Sequence, residues 1–411
     1  MSDQDELLSL LEGDEDDDAA EREEELHRWL GTTPQVFRGV IQAALDHALA
    51  APPDPLQQPW TPLGPRNIGG AIRSIVQDPR HPQTLYAGAA QGGLWKTEDE
   101  GYSWRPLPDP ALVAPIGALA IAPSNPRVLY AGTGEPYYST PVFLRGVAGR
   151  GLYRSVDGGD SWQRLVGPVP AAGAAPNGAA NNYGRIVVDP QDPRRIWSAT
   201  ETGLWRRNAA GGFVLEPVVP ANPAAMVTDV VMTRDPANAD NLVLLAGVEQ
   251  VGIVRGVWDR AANTTAWAAP VNPFPANLGR VRLALWEPPA GWAPAAGEPN
   301  AAVAYAVGQI NVGHTATTVF RSTDLGATWP AVPGAVAPPG ASSTFYCLTL
   351  AVDPEDPARV LCGTVDVVLS LDGGRTWPRM VLDWRLYDQG DRAQHADIQA
   401  LHFDVRRPPP L

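Results

Sequence analysis

Four carboxylates recur at equivalent points of this sequence, each just past an apolar run that ends in small residues. They are Glu135, Glu201, Glu249 and Asp366. Two carboxylates about 5–9 Å apart can serve as general acid and base in glycoside hydrolysis. Such acids can equally line a ligand-binding ring, or cap loop amides and pair with nearby arginines. The pattern leaves these three interpretations open.

Further polar and aromatic residues fall in the same predicted loops and could bind a ligand. They are Asn67, Arg73, Tyr137, Tyr138, Arg185, Arg280, Gln309, His395 and Asp397. Tyr137 and Tyr138 could stack on sugar rings or grip a peptide, or fold back over the rim. His395 and Asp397 could form an acid/base or metal pair. The six histidines show no ligand spacing to one another, so we expect neither a metal nor a cofactor.

The elements that position these residues come from a repeat. The pattern S/T-x-D-x-G-x-x-W occurs at 97–104, 155–162, 322–329 and 370–377. In such a turn the aspartate accepts backbone N–H groups, glycine supplies a positive φ, and tryptophan packs between sheets. We therefore expect a structural role, rather than catalysis or metal binding, for these residues of the pattern: Asp99, Trp104, Asp157, Trp162, Asp324, Trp329, Asp372 and Trp377.

A second repeat predicts hairpins. An alternating apolar run, a turn rich in Asp and Pro, and a second apolar run occur together six times, and the pattern begins once more at Ile398. With a third and a fourth strand, each unit has about 50 residues, which is typical of a β-propeller blade. The sequence therefore predicts an all-β, seven-bladed propeller of four-stranded antiparallel blades. Two blades, near 205–215 and 255–267, lack the aspartate turn. The last blade appears incomplete, with 398–404 as its inner strand and 60–65 as its outer strand.

These repeats resemble the BNR or Asp-box β-propellers, which include sialidases, xyloglucan-active glycoside hydrolases and sortilin-type receptors. The segment GPRNIGGAIRSIVQDPRHPQTLYAGAAQGGLWKTEDEGYSW carries the resemblance most clearly, and it extends over about 58–411. The resemblance implies ligand binding at the axial face. Sialidase activity is not expected, because no Arg-Ile-Pro motif occurs. In addition, Arg73 lies five and Arg185 four residues before its turn aspartate, which predicts side chains on opposite sides of their strands.

Composition narrows the class of protein. Forty glycines and forty-three prolines in 411 residues exclude a structure dominated by long helices, and no run of eighteen apolar residues could span a membrane. Of the net charge of −14, residues 1–30 carry −11, so the main body is nearly neutral and does not resemble a nucleic-acid binder. Two cysteines, Cys347 and Cys362, exclude a disulfide framework, and we expect free thiols rather than a cross-strand disulfide.

The chain divides into four predicted regions: an acidic, disordered or frayed arm (1–33), an amphipathic helix (34–51), a proline-rich linker (52–59) and the propeller (60–411). The helix could pack on the propeller or dock a partner protein. The opening residues predict no ordinary secretory signal, whereas members of the resembled family are commonly exported, so both locations stay open. We expect a monomeric module that binds a glycan or protein ligand at its axial face. The alternative is a glycoside hydrolase that uses an axial carboxylate pair.

Overall fold

The computed structural model describes residues 71–90, 92–107, 115–134, 149–165, 182–275, 277–289, 301–310, 315–339, 344, 347–382 and 398–404. Every element in these segments is a β-strand. The predicted arm, helix and linker, and the predicted outer strand at 60–65, lie outside the described residues. Alternating apolar positions form the strands because period two places every second side chain on one face of a sheet.

Six antiparallel sheets of four strands follow one another along the chain. The first holds β1 (Ile72–Gln77), β2 (Leu85–Ala89), β3 (Leu94–Thr97) and β4 (Arg105–Pro106). The second holds β5 (Ile116–Ile121), β6 (Leu129–Thr133), β7 (Leu152–Ser155) and β8 (Gln163–Arg164). The third holds β9 (Tyr183–Val188), β10 (Ile196–Thr200), β11 (Gly203–Arg207) and β12 (Phe213–Glu216).

Of the other three sheets, the fourth and the sixth repeat this order. The fourth holds β13 (Val227–Asp235), β14 (Asn238–Val248), β15 (Gly252–Asp259) and β16 (Thr264–Trp267). The fifth holds β17 (Leu278–Trp286), β18 (Val303–Ile310), β19 (Thr315–Ala316) and β20 (Phe320–Ser322). Its third position is split, because β19 and β20 both pair with β18. The sixth holds β21 (Thr349–Val352), β22 (Val360–Gly363), β23 (Val367–Ser370) and β24 (Arg379–Leu382).

The prediction of seven blades is wrong, because the structure is a propeller of six four-stranded blades. Segment 398–404, expected as the inner strand of a seventh blade, lies beside β1. Arg73 donates to Gln399, Gln77 donates to Asp404, and the Ile398 N–H donates to the Thr364 carbonyl. A blade needs further strands hydrogen-bonded to its inner strand, and among the described residues no strand pairs with this segment. An alternating apolar pattern in one segment is therefore not sufficient to predict a blade.

Apolar layers and cross-blade hydrogen bonds join neighbouring blades. Between the third and fourth blades, Trp197 and Trp258 meet edge to face with centroids 5.4 Å apart in an apolar cluster. From the first blade to the second, the Tyr86 hydroxyl donates to the Gly158 carbonyl at 2.9 Å. From the fourth to the fifth, the Thr228 hydroxyl donates to the Val281 carbonyl and accepts from its N–H, both at 3.0 Å. Each blade thus buries its faces against its neighbours.

The four aspartate turns connect third strands to the chain beyond them and share one hydrogen-bond pattern. In the second blade, Ser155 Oγ donates to Asp157 Oδ1 at 2.7 Å. The same carboxylate accepts the Ser161 N–H at 3.0 Å and the Ser161 hydroxyl at 2.5 Å. Equivalent bonds surround Asp99, Asp324 and Asp372. These carboxylates are thus engaged in holding their own turns.

Candidate functional site

One face of the propeller collects the candidate carboxylates. The first strand of each blade runs from the blade connection to the hairpin turn, so blade connections and the turns between second and third strands lie at the same end of the axis. Glu201 lies between β10 and β11, Glu249 between β14 and β15, and Asp366 between β22 and β23. The structure therefore places these three acids on a common face, on the third, fourth and sixth blades. Glu135 lies outside the described residues.

Glu201 has the strongest features of an acid catalyst among these residues. It is half-buried, and this burial raises the pKa of its carboxyl above the usual glutamate range, although a hydrogen bond from Asn182 opposes the shift. Asn182 Nδ2 donates to Glu201 Oε1 at 2.7 Å, while Asn182 Oδ1 accepts the Gly149 N–H at 3.1 Å. The asparagine is thereby oriented by one blade while it holds a carboxyl group of the next.

The other two acids have different surroundings. The turn of Glu249 is held by its own N–H, which donates to the Met226 carbonyl at 3.0 Å, and its side chain is half-buried. Asp366 is only 3% exposed, and its carbonyl accepts the Thr364 N–H at 2.8 Å. Glu249, one blade away from Glu201, is therefore better placed to reach a ligand than Asp366.

An axial cavity of about 800 Å³ opens within the ring of inner strands. Its end nearest the blade connections carries an arginine collar, which we define as Arg73, Arg185 and Arg282 with Asp229 among them. Deeper lies an aliphatic belt with one side chain from each blade: Val76, Ile121, Val187, Met232, Leu285 and Val352. Gln399 and His402 of the segment 398–404 complete the wall.

Asp229 organises the collar. Its carboxylate accepts the backbone N–H groups of Val230 and Leu283, each at 2.9 Å, and is fully buried. Arg185 Nη1 lies 3.9 Å from Asp229 Oδ1, and Arg282 Nη1 lies 4.0 Å from Asp229 Oδ2. Arg282 is fixed further by donating from Nε to the Leu348 carbonyl at 2.9 Å. One carboxylate thus holds two arginines from different blades near the axis.

The expectation that Arg73 and Arg185 face opposite sides of their strands stays a prediction, because residues from both faces of each strand line this cavity. The pairing of β1 with β2 shifts register between Ile72 and Ser74, and that of β9 with β10 shifts between Ala199 and Thr200. Such a bulge inserts one extra residue and changes the direction of a side chain. Counting residues back from the turn therefore could not give the orientation of either arginine.

The remaining predicted ligand residues have separate positions. Arg280 and Gln309 are buried and do not line the cavity, and the Arg280 N–H donates to Gln309 Oε1 at 3.3 Å. The others lie outside the described residues: Asn67, Tyr137, Tyr138, His395 and Asp397. The sequence analysis did not single out Arg282, which lies in the middle of the inner strand β17, whereas Arg73 and Arg185 lie near the starts of theirs.

The described segments also bear on a metal site, a membrane span and the two cysteines. No three His, Cys, Asp or Glu side chains there are grouped as a metal site requires. No helix in those segments has the length and apolarity of a membrane span. Cys347 and Cys362 are buried and form no disulfide in these segments, and burial raises the pKa of Cys362 to about 12. Leu350, rather than Cys347, is the pairing partner of Cys362.

Known proteins similar to this chain are xyloglucanases. A xyloglucanase of a Paenibacillus species is 27% identical over 305 residues, which is 72% of this chain and 24% of that protein. Xyloglucanase Xgh74A of Acetivibrio thermocellus is 23% identical over 273 residues, covering 65% of this chain and 26% of its own length. This chain thus spans about a quarter of the curated relatives it matches. No family model matches it.

Solved structures show the same fold. The GH74 xyloglucanase from Xanthomonas campestris superposes with a TM-score of 0.51 at 20% identity, over 82% of this chain and 49% of that one. An ancestral GH74 enzyme gives a TM-score of 0.50 at 18% identity, over 79% of this chain and 39% of its own. The finer resemblance to sialidases and sortilin-type receptors gains no support from these matches. The chain is a β-propeller that is similar in sequence to part of known xyloglucanases.

Proposed function

We propose that this propeller is a glycoside hydrolase module that acts on a xyloglucan-type β-glucan at the face carrying Glu201. The similarity to xyloglucanases favours hydrolysis over the expected role as a pure binding module. The observation that carries the proposal is the raised pKa of Glu201 on the face where blade connections and ligand loops meet. A carboxyl group that keeps its proton to a higher pH than an ordinary glutamate is suited to general acid catalysis.

The chemistry requires a second carboxylate. The protonated Glu201 carboxyl would give its proton to the glycosidic oxygen as the bond to the anomeric carbon breaks, while water adds to that carbon. A carboxylate on the opposite side of the sugar would take the proton of that water. Glu249 is our first candidate for this base, because it lies on the adjacent blade and on the same face. Glu135 and Asp366 remain the other candidates.

The test is release of reducing ends from xyloglucan by the full chain and two variants. Glu201→Gln keeps the acceptor for Asn182 but cannot give up a proton, so we expect kcat to fall about 100-fold or more. Glu355→Gln is the matched control, because Glu355 is exposed in a hairpin turn at the opposite end of the axis. The activity of this variant should equal that of the parent. Equal rates for the parent and Glu201→Gln would contradict the assignment of the acid.

Binding without hydrolysis is the second candidate function. It is favoured by the burial of Asp366, since an acid that is 3% exposed does not reach a polysaccharide in this conformation. Calorimetric titration with xyloglucan oligosaccharides separates the two functions. Binding in the absence of any turnover by the parent chain would support the binding module and reject the hydrolase.

A further inference from the structure

The arginine collar brings three arginines to one end of the axial cavity. They share that end with one lining carboxylate, Asp229, whereas Arg234 and Glu287 line the far end. Fields are focused in clefts with low-dielectric walls, so a cluster of arginines there attracts anions more strongly than the same residues on an open surface.

Arg185 is the member of the collar that is available to a ligand. Its side chain is 45% exposed, although it lies within the ring of strands, so its exposed surface faces the cavity. Asp229 at 3.9 Å is beyond hydrogen-bond distance, and among the described residues no hydrogen bond to the guanidinium of Arg185 is found. A planar guanidinium with its N–H groups directed into a cavity matches the two oxygens of a carboxylate.

The wall next to the collar selects the rest of the ligand. The side chains of the aliphatic belt are all apolar, and they lie two or three residues further along their strands than the collar, as Leu285 does from Arg282. At about 3.3 Å per residue, this places the belt about 7–10 Å from the collar. Apolar surface at that depth favours an unbranched aliphatic chain over a polar ring.

We propose that the axial cavity binds an aliphatic carboxylate, with its carboxylate on Arg185 and its chain along the aliphatic belt. Arg73 and Arg282 supply positive charge from fixed positions, since each already donates a hydrogen bond to the protein. Asp229 keeps Arg185 oriented from the side away from the ligand. Glu201, Glu249 and Asp366 do not line this cavity, so the proposal does not depend on hydrolysis.

Calorimetric titration of the full chain with octanoate tests the proposal, with octanamide as the neutral isostere. We expect one octanoate per chain and about tenfold or weaker binding of octanamide, because only the carboxylate forms a charge-assisted pair. Equal binding of the two ligands would overturn the proposal without the need for any variant. Glucuronate and inorganic phosphate distinguish other sources of negative charge. If glucuronate binds more tightly than octanoate, the proposal of an aliphatic chain on the ligand is rejected. If phosphate binds as tightly as octanoate, the proposal of a carboxylate is rejected.

Variants locate the site. Arg185→Gln should weaken octanoate about tenfold or more, and Arg185→Lys should fall in between, because lysine keeps the charge but loses the planar pair of donors. Arg359→Gln is the matched control: Arg359 is 47% exposed and pairs with Asp353 at 2.8 Å, but it lies outside the cavity. The affinity of Arg359→Gln for octanoate should equal that of the parent. Unaltered binding by a folded Arg185→Gln, or equal losses in both glutamine variants, would overturn the assignment.

Discussion

At the scale of single residues, the surroundings of a charged group decide which of its states the fold favours. Burial of Glu201 disfavours its carboxylate, whereas Asp157 lies among hydroxyl and N–H donors that favour the charged form and lower its pKa to about 2. The two carboxyl groups have the same chemistry and opposite shifts. Catalysis is therefore proposed for the first and turn formation for the second.

Glu201 should make stability depend on pH in a defined direction. Because its folded-state pKa is raised, the native state binds the proton more tightly, and stability falls as pH rises through the interval above the ordinary glutamate pKa of about 4.3. Glu201→Gln should therefore be more stable than the parent at pH 7 and similar to it at pH 3.5. Urea unfolding at both pH values measures this difference. A stabilisation of the same size in Glu355→Gln, or one that persists at pH 3.5, would contradict the interpretation.

Arg185 should influence His402 across the cavity. The pKa of His402 is lowered by burial and by the positive charge of Arg185, whereas Asp404 raises it. Arg185→Gln removes one of the lowering effects, so we expect the pKa of His402 to rise. An NMR pH titration of the imidazole measures the change, with Arg359→Gln as the control. An unmoved His402 pKa in Arg185→Gln would show that the arginine does not face the imidazole.

At the scale of elements, the aspartate turn shows how a local sequence fixes a loop. Its carboxylate and hydroxyl replace the backbone partners that the turn lacks, and glycine takes the positive φ at Gly158 (80°). At the equivalent position of the first blade, Glu100 adopts φ 64°. The side-chain hydrogen bonds therefore hold the same turn even where the residue type is unfavourable.

Asp157→Ala should destabilise the propeller by about 1–2 kcal/mol at pH 7, because a turn cap with several hydrogen bonds is lost. The loss should shrink near pH 2. The lowered pKa means that the parent gains stability from this carboxylate above its unfolded pKa of about 3.9 and loses that stability as pH falls towards 2. Thermal unfolding of both proteins at pH 7 and pH 2 checks this. Asp160→Asn, in the same turn but with a side chain 66% exposed, should change little.

At the scale of the whole molecule, polar contacts join the two blades that lack the aspartate turn. Asp189 of the third blade is fully buried and accepts from Arg195 at 3.0 Å and from Arg260 of the fourth blade at 2.8 Å. These two arginines lie against the ring of Trp258, at 4.5 and 4.9 Å from its centroid. A charged and aromatic cluster thus joins two blades that lack the S/T-x-D-x-G-x-x-W pattern.

Asp189→Asn should cost about 3 kcal/mol, because two arginines lose their buried carboxylate. Asp353→Asn is the matched control, since both aspartates accept the N–H of the second residue after them. Among the described residues, the one ion pair of Asp353 is with the half-exposed Arg359 of its own hairpin, so we expect a loss of about 1 kcal/mol or less. Denaturant midpoints measure both values. Equal losses would show that Asp189 does not join the blades.

Local patterns were sufficient to predict the strands and turns. The alternation in LYAG and LWKT and the aspartate turns act between residues close in sequence, so hairpins, four-stranded blades and the two blades lacking the turn could be predicted from the chain alone. The same patterns could not give the number of blades. The segment 398–404 has the alternation of an inner strand, but a blade depends on whether three further strands pair with it, which is a property of distant parts of the chain.

The candidate site divides in the same way. Glu201 could be found from sequence because its position after a second strand determines the face on which it lies. Its raised pKa could not, because the burial of its carboxyl depends on the packing of parts of the chain that are distant in sequence. The arginine collar is a product of tertiary structure alone. Arg73, Arg185 and Arg282 are separated by about a hundred residues each, and only β-bulges and the circular arrangement of blades bring them to one cavity.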